Sequence, residues 1–247
     1  AEGYAVSAIG SDELGLEILR ILEQNNIRHY LETTEHPTGT VMVELDPDGK
    51  PSYTIVEEVA WDHIPLTRQS ADLVKKADAI CFGTLAQRSP VSRETIGKLL
   101  THAPEDALRF FDINIRQHYY SKELIEACLE KAYAFKINDG ELELLAPMFQ
   151  LEGSTDDICQ WFMDKYRLRY LVLTAGSEYS TIYGEGEKSM ILTPEVKVAD
   201  TVGAGDAFSG AFVYSILTGE SLKKAHQKAV DIAAFVCTQN GAWPSYN

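Results

Sequence analysis

The chain has 247 residues, with 22 Lys and Arg against 37 Asp and Glu, and therefore a formal net charge of −15. Hydrophobic residues make up 45% of it and charged residues 24%, which is typical of globular proteins and excludes a disordered or fibrous chain. The charge argues against nucleic acid and anionic membranes as partners, because both are bound through clustered Lys and Arg. A small anionic ligand is compatible with it, since backbone N–H groups can bind phosphate on an acidic protein.

The four cysteines indicate thiols rather than disulfides or a metal site. Neither a Cys-x-x-Cys pair nor a metal-ligand spacing of the histidines occurs in the sequence. Cys81 and Cys237 lie in apolar runs, so we expect buried thiols and a reducing, cytoplasmic setting. No run of 18 apolar residues is present, and the sequence therefore predicts no membrane-spanning helix.

The first quarter of the chain combines a strand and a helix with a hairpin. A strand-like segment covers residues 4–9, and helical periodicity begins behind Asp12, a candidate N-cap. Two extended runs, 41–45 and 53–56, are joined by the turn residues Asp46-Pro47-Asp48-Gly49. We interpret this pattern as a small flap beside a larger body.

After Pro65 the strand and helix patterns alternate regularly, which is typical of βαβ units around a largely parallel sheet. Further strands with Gly-containing turns are predicted between 179 and 198. The predicted strands are 79–82, 108–111, 132–137 and 170–173, and the last two predicted helices are 207–217 and 222–237. The pattern predicts a single α/β domain over residues 1–247.

Polar or small residues follow each of the four regular strands. In open parallel sheets, ligands bind outside the carboxyl ends of the strands, so residues at these exits are candidates for a common site. They are Gly83 after the first strand, Asp112, Asn114 and Arg116 after the second, Asn138 and Glu141 after the third, and Thr174 and Gly176 after the fourth.

A Gly-rich loop between residues 198 and 212 carries the most specific chemistry. Gly203, Ala204 and Gly205 precede an apolar helix, and bare N–H groups at a helix start form an anion site. Asp206 lies in the first turn, where the helix dipole keeps a carboxylate ionised and able to accept a proton. A carboxylate beside an anion site suits phosphoryl transfer to an alcohol. An Asp N-cap behind a Gly turn is the plain structural alternative.

Two other Gly-loop types do not match the sequence. Phe208 occupies the position at which a dinucleotide fingerprint needs a small residue, and no Gly-Lys-Ser/Thr ending of a Walker loop is present.

The segment from Asp200 to Val213 resembles the C-terminal signature of the ribokinase (PfkB-type) carbohydrate kinases. The resemblance implies a ribokinase-like three-layer α/β/α sandwich with a mostly parallel central sheet and a small β lid, here at about residues 38–58. It also implies that Asp206 is the catalytic base and that Gly203, Ala204 and Gly205 form the anion hole.

Three further segments look like nucleotide-binding motifs of the same family. Asn138-Asp139-Gly140-Glu141 matches its Asn-x-x-Glu motif, which is associated with magnesium and the nucleotide phosphates. Thr174-Ala175-Gly176 resembles its Thr-x-Gly turn, and Asn240-Gly241-Ala242 resembles the segment that lines the adenine pocket. The resemblance therefore implies ATP and Mg²⁺ as ligands and leaves a monovalent cation open. Glu141 in a solvated first turn and Asn240 at a plain helix stop are the structural alternatives.

The run Asp112-Ile113-Asn114-Ile115-Arg116 is similar to that of fructokinase-like members, in which the Asn and Arg face the sugar and the phosphates. On this basis Gly83, Asn114, Arg116 and Asp206 are expected to contact the substrate, with Arg116 also acting in catalysis. The expected reaction is the ATP-dependent phosphorylation of a sugar hydroxyl, with fructose as the acceptor.

Other functions fit the same motifs. A kinase of this fold could act on a sugar acid, a nucleoside or a phosphosugar, for which Arg88 and Arg116 are the basic candidates. A non-catalytic sugar-binding or scaffold protein is the alternative from a different class. The apolar alternation of the flap predicts a homodimer formed through the lid.

The sequence departs from the family at its start. Before Tyr4 there is neither the usual strand ending in a sugar-binding Asp nor the Gly-Gly-x-x-x-Asn segment. The 247 residues are therefore expected to lack part of the family's sugar site.

Overall fold

The computed structural model describes residues 2–45, 51–184 and 186–245. The chain divides into two compact units, which are described separately. The first unit comprises Ala1–Ala77 and Leu85–Glu105, and the second comprises Asp78–Thr84 and Asp106–Asn247. The predicted turn at 46–49 lies outside the described residues, and the single domain over 1–247 stays a prediction.

In its described residues, the first unit contains four strands and three α-helices. They are β1 (Tyr4–Gly10), α1 (Glu13–Gln24), β2 (Arg28–Thr34), β3 (Val41–Leu45), β4 (Pro51–Ile55), α2 (Arg68–Val74) and α3 (Pro90–His102), with 3-10 turns at Ala60–His63 and Leu85–Gln87. β1 pairs with β2 in parallel, and β3 pairs with β4 as the predicted antiparallel hairpin. β2 was not predicted from the sequence pattern.

Asp12 is the N-cap of α1, as predicted, and it also fixes a distant loop. Its Oδ1 accepts a hydrogen bond of 2.8 Å from the N–H of Gly15. The N–H of Thr38 donates to Oδ2 at 2.7 Å, and the Thr38 hydroxyl donates to Oδ1 at 2.6 Å. These bonds lower the pKa of Asp12, those from Thr38 most strongly. One carboxylate therefore holds both the start of α1 and the loop at Thr38.

A buried ion pair joins the 3-10 turn at Ala60–His63 to Arg88, the residue that follows the second 3-10 turn. Arg88 donates from Nε and Nη2 to the two oxygens of Asp62, each at 2.7 Å, and the side chains are only 6% and 3% exposed. The guanidinium carbon also lies 3.9 Å from the ring centroid of Trp61. The fork geometry offsets the cost of removing both charges from water.

The second unit is a six-stranded sheet with helices on both faces. Its elements are β5 (Ala79–Phe82), β6 (Leu108–Asp112), α4 (Lys122–Leu129), β7 (Ala134–Asn138), α5 (Asp139–Met148), α6 (Thr155–Tyr166), β8 (Tyr170–Ala175), β9 (Tyr179–Gly184), β10 (Glu187–Leu192), α7 (Ala204–Leu217) and α8 (Leu222–Cys237). The strand order is β10-β9-β8-β7-β6-β5. β5 to β8 are parallel, whereas β9 and β10 are antiparallel. The predicted α/β architecture is confirmed.

Both faces of this sheet are covered by apolar side chains. On one face, Phe110 packs against Phe212 of α7, and the same cluster includes residues of α8. On the other face, the rings of Phe111 and Phe135 stack at 5.5 Å, and Phe135 contacts Phe162 of α6 at 5.6 Å. Alternate strand residues therefore serve two separate layers of core, as a sheet buried on both faces requires.

Several predicted bounds differ from the structure by one to three residues. β6, β7 and β8 extend further than predicted, so Asp112, Asn138 and Thr174 are strand residues rather than loop residues. α7 begins at Ala204 instead of residue 207. Polar side chains favour turns in a sequence-based prediction, but the hydrogen bonds between neighbouring strands continue through these three residues.

The expectation of buried thiols at Cys81 and Cys237 was wrong. Cys81 is exposed and Cys237 is half-buried, whereas Cys128 and Cys159 are buried. Among the described residues of the second unit, β5 is the end strand of the sheet and pairs only with β6, so Cys81 has fewer neighbouring strands to cover it. Within the described ranges, no helix combines the length and apolarity needed to cross a membrane.

A buried histidine joins α8 to the antiparallel part of the sheet. The Nε2 atom of His226 lies 2.8 Å from the Ser180 hydroxyl, and Nδ1 lies 2.9 Å from the Ser189 hydroxyl. The residue has no solvent exposure, and burial lowers its pKa to about 4. His226 is therefore neutral in the folded protein at neutral pH.

This burial predicts a stability loss in mild acid. An unfolded histidine takes up a proton below about pH 6.5, but the folded protein resists protonation of His226 until about pH 4. The unfolded state thus binds more protons, and the His226 contribution should fall by about 2 kcal/mol from about pH 7.5 to about pH 5. Urea unfolding at both pH values checks this. His226→Gln should show a smaller pH dependence, and equal dependence in both proteins would contradict the assignment.

Candidate active site

The predicted site residues of the second unit lie at the carboxyl ends of neighbouring strands. Phe82 pairs with Phe111, Asp112 with Lys136, and Asn138 with Thr174. The ends of β5, β6, β7 and β8 are therefore aligned at one edge of the sheet. This alignment places Gly83, Asp112, Asn138 and Thr174 along the same edge.

Gly83 and Thr84 hold the ends of β5 and β6 together. A Cβ atom added to Gly83 would lie 2.8 Å from the carbonyl oxygen of Asp112, so no larger residue fits without movement. The buried Thr84 hydroxyl donates a 2.7 Å hydrogen bond to the carbonyl of Ile113. Gly83 is thus required for a close backbone approach beside the predicted substrate residues.

A buried lysine, not predicted from the sequence, forms an ion pair at this edge. The Nζ atom of Lys136 lies 2.7 Å from Oδ2 of Asp112, and both side chains are largely buried. The Ser209 hydroxyl of α7 lies 2.9 Å from the same carboxylate oxygen. A Cβ on Gly205 would lie 3.5 Å from Lys136 Nζ, so the ammonium lies close to the first turn of α7.

The first turn of α7 has the geometry of an anion site. Its N-cap is Gly203, whose φ of +85° lies in the left-handed region that favours glycine. The Ala204 N–H donates a 3.3 Å hydrogen bond to the Thr201 carbonyl. The amides of Gly205 and Asp206 follow in the turn, where an α-helix offers no carbonyl acceptor. Asp206 itself is exposed on this turn.

Asp200 connects this loop to the segment after α8. Its Oδ1 accepts a 3.0 Å hydrogen bond from the N–H of Val202, and its Oδ2 accepts one of 3.1 Å from the N–H of Gly241. These bonds lower the pKa of Asp200, the one from Val202 most strongly. A Cβ on Gly203 would lie 2.4 Å from the carbonyl oxygen of Ala242. The loop before α7 therefore packs directly on the segment that includes Asn240.

Asn138 and Glu141 form a capping box at the start of α5. The Glu141 N–H donates to Asn138 Oδ1 at 2.8 Å, and the Asn138 N–H donates to Glu141 Oε2 at 2.9 Å. The other oxygen of Glu141 accepts a 2.7 Å hydrogen bond from Ile115. Desolvation raises the pKa of Glu141, while the hydrogen bonds from Asn138 and Ile115 oppose this effect. Glu141 thereby holds the loop that contains Asn114 and Arg116.

The remaining predicted site residues lie in the turns after β6 and β8 and in the segment after α8. Asn114 has a φ of 42°, and Gly176 has a φ of 49° in the turn after β8. Arg116 is exposed, and its Nη1 donates to the Ile115 carbonyl at 3.0 Å. Asn240 is exposed just beyond the end of α8.

The local arrangement couples a proton acceptor to an anion site. The carboxylate of Asp206 and the amides of Gly205 and Asp206 belong to the same helical turn, and Lys136 supplies a cation close to Gly205. Sequence reasoning missed Lys136, Ser209 and Asp200 as supporting residues. A lysine within the apolar strand Ala-Phe-Lys-Ile-Asn was the signal that could have revealed the first of them.

Comparison with known proteins agrees with this chemistry. Residues 1–246 match the model described as the pfkB family carbohydrate kinase. The chain belongs to this family of carbohydrate kinases. This membership confirms the resemblance drawn from the Asp200–Val213 segment.

The relatives of this sugar kinase include enzymes with different acceptors. The chain is 26% identical to 5-dehydro-2-deoxygluconokinase 2 of Bacillus cereus, over 95% of this chain and 74% of that protein. It is also 26% identical to the probable fructokinase-5 of Arabidopsis thaliana, over 97% of this chain and 78% of that protein.

Solved structures share the ribokinase-like fold. An E. coli protein assigned as ribokinase II, in complex with ATP and Mg²⁺, matches with a TM-score of 0.83 and 19% identity. The match covers 98% of this chain and 79% of that one. The predicted fold class is therefore confirmed.

A methyl group added at Gly203 should disturb the loop that leads into α7. In Gly203→Ala, the added Cβ would clash with the Ala242 carbonyl, and the positive φ would be strained. We expect a lower melting temperature and a lower kcat, measured by thermal unfolding and by ADP release. Gly210→Ala is the matched control, because Gly210 lies within α7 and a Cβ there meets nothing within 4 Å. The control should be as stable as the native chain or up to about 1 kcal/mol more stable. Equal behaviour of the two variants would contradict the role of the Gly203 contact.

Proposed function

We propose that this pfkB family member transfers the terminal phosphoryl group of ATP to a hydroxyl group of a sugar, with Asp206 as the general base. The observation that carries the proposal is the position of Asp206 in the first turn of α7, beside amides without helical acceptors. A proton acceptor and an oxyanion site are then contributed by one rigid element. That combination serves alcohol phosphorylation without a covalent enzyme intermediate.

In this mechanism Asp206 accepts the proton of the attacking hydroxyl. Its carboxylate is exposed, so a substrate hydroxyl can reach it. The amino-terminal end of α7 carries partial positive charge, and a carboxylate there is in hydrogen-bonding reach of a bound hydroxyl. The hydroxyl oxygen forms its bond to the γ-phosphorus as the bond between that phosphorus and the bridging oxygen of ADP breaks. ADP leaves with that electron pair, and the hydroxyl proton passes to Asp206.

The anion hole is formed by Gly203, Ala204 and Gly205 together with the neighbouring cation. The amides of Gly205 and Asp206 can donate to phosphoryl oxygens, since glycine leaves the approach free of a Cβ. Lys136 adds positive charge near Gly205 and is kept in place by Asp112 and Ser209. Arg116, exposed at the end of β6, is the proposed second cation for the phosphates.

The nucleotide side of the proposed site comprises the turns after β7 and β8 and the segment after α8. Thr174 and Gly176 are assigned to the nucleotide, as is Asn240 beside the loop of Gly203. Asn138 and Glu141 are assigned to the metal, and their oxygens suit a hard cation even though each also accepts a backbone hydrogen bond. Bound Mg²⁺ would neutralise charge on the transferring phosphates. A requirement for a monovalent cation stays a prediction.

Fructose is the proposed acceptor, with Gly83 and Asn114 on the substrate side. The Asp-x-Asn-x-Arg run and the similarity to a probable fructokinase support it. A keto sugar acid is the second candidate, because the chain is equally similar to a 5-dehydro-2-deoxygluconokinase. A phosphosugar is disfavoured, since Arg88 is buried and bonded to Asp62 instead of being available for an anion.

The hairpin at about residues 38–58 is the proposed lid of the sugar site. We also propose that two copies of the chain form a homodimer through this hairpin. Its described strands expose Val41, Met42, Val43 and Tyr53, and apolar surface of this kind supports contact with another molecule. The cytoplasmic location also stays a prediction, based on cysteine usage.

Removing the carboxylate charge of Asp206 tests the general base. Asp206→Asn keeps the shape of the side chain but cannot accept the proton, so kcat should fall by a factor of about 10² or more. Binding of ATP, measured by calorimetry, should change little. Asp231→Asn removes an exposed carboxylate from α8 and should leave both values unchanged. Near-native kcat in Asp206→Asn would exclude Asp206 as the base.

A panel of acceptors in an ADP-release assay separates the candidate substrates. Fructose should give the highest kcat/KM. The second acceptor to test is 5-dehydro-2-deoxygluconate, because one relative is a 5-dehydro-2-deoxygluconokinase. Fructose 6-phosphate should be a poor acceptor because Arg88 is engaged. Preference for the sugar acid would reject fructose, and binding of a sugar without turnover would support the non-catalytic alternative.

A further inference from the structure

A cluster of two histidines and a glutamate lies in the first unit, at the end of the proposed lid and apart from the residues proposed to contact ATP, metal or sugar. In the described parts of the chain, His36, Glu58 and His63 are the one group of three His, Cys, Asp or Glu residues whose potential ligand atoms all lie within 4.8 Å of one another. Neither the family motifs nor the spacing of the histidines along the sequence indicated this group.

The geometry of the cluster is compact. The imidazole rings of His36 and His63 are stacked, with a centroid distance of 3.5 Å and an interplanar angle of 2°. Nε2 of His63 lies 3.4 Å from Oε2 of Glu58. Both histidines are half-buried and Glu58 is exposed, so the open side of the cluster faces water.

The segments that carry these side chains are held together by the backbone. The N–H of Ala60 donates a 2.8 Å hydrogen bond to the carbonyl of Pro37, which joins the loop of His36 to the turn that contains His63. Val59 and Ala60 are buried, and the Val59 N–H donates to Asp62 at 3.2 Å. The ligand atoms are therefore brought together by fixed segments, which lowers the entropic cost of binding an ion.

We propose that His36, Glu58 and His63 form a binding site for a divalent transition-metal ion, with Zn²⁺ as the representative ion. Two imidazoles and one carboxylate are a ligand set that zinc accepts in tetrahedral sites with an open position. Water would complete the coordination on the exposed side. The two rings are parallel in the structure, so binding of the ion requires one imidazole to turn about its side-chain torsions until both nitrogen lone pairs point at the ion.

The cluster offers two imidazoles and one negative charge to an ion. Glu58 supplies the charge on the exposed side, and the rings of His36 and His63 lie 3.5 Å apart. A metal ion binds neutral imidazoles and an ionised carboxylate together. Imidazole ligands also distinguish this site from a magnesium site, because Mg²⁺ prefers oxygen ligands.

Calorimetric titration of the chelator-treated full chain with ZnCl₂ tests the proposal. One equivalent of Zn²⁺ should bind, and a large excess of Mg²⁺ should not compete. Glu58→Gln, His63→Gln and the triple variant with His36→Gln should each weaken binding at least about tenfold. Glu58→Gln is the most conservative change, since it keeps the size of an exposed side chain. Circular dichroism and thermal unfolding confirm that each variant is folded.

Matched controls and a spectroscopic readout identify the ligands. His102→Gln and Glu105→Gln remove an exposed histidine and an exposed glutamate outside the cluster, and both should bind Zn²⁺ as the native chain does. Co²⁺ bound in place of Zn²⁺ should show no thiolate charge-transfer band, which excludes the exposed Cys81 as a ligand. Unchanged binding in Glu58→Gln and the triple variant, absence of binding in the native chain, or a thiolate band would overturn the proposal.

Discussion

The ion pair between Lys136 and Asp112 is the contact on which the arrangement of the proposed kinase site depends. It joins the carboxyl ends of β6 and β7, and Ser209 links the same carboxylate to α7. A largely buried lysine without an anion would be strongly destabilising, so the pair requires both strand ends to stay close. Because the Lys136 ammonium lies beside Gly205, the anion-binding turn of α7 is fixed to the edge of the sheet.

Around this pair, carboxylates act mainly as acceptors for backbone N–H groups. Glu141 holds the loop after β6, and Asp200 holds the loop before α7 to the segment that follows α8. These contacts are compatible with a phosphate site on a chain with a net charge of −15. The carboxylates of Glu141 and Asp200 fix loops, and the proposed phosphate-binding groups are amides, a helix dipole and a few cations.

Much of the second unit could be predicted because its signals are local. Apolar runs separated by helical periodicity indicated β5 to β8, and a small-residue loop before an apolar helix indicated α7 with Asp206 in its first turn. The bounds were less accurate, since hydrogen bonding between neighbouring strands extends β6, β7 and β8 into polar residues. β2 was missed because its pairing with β1 depends on partners distant in the chain.

The sequence by itself therefore determined the family, the fold class and the position of the proposed base, since each depends on residue types at short spacings. Only the tertiary structure decided the partners of the buried charges. Lys136 finds Asp112 across adjacent strands, Arg88 finds Asp62, and the cluster of His36, Glu58 and His63 forms where two loops are joined. Such contacts join residues far apart in the chain, and no local pattern records them, because they exist only once the backbone has brought the segments together.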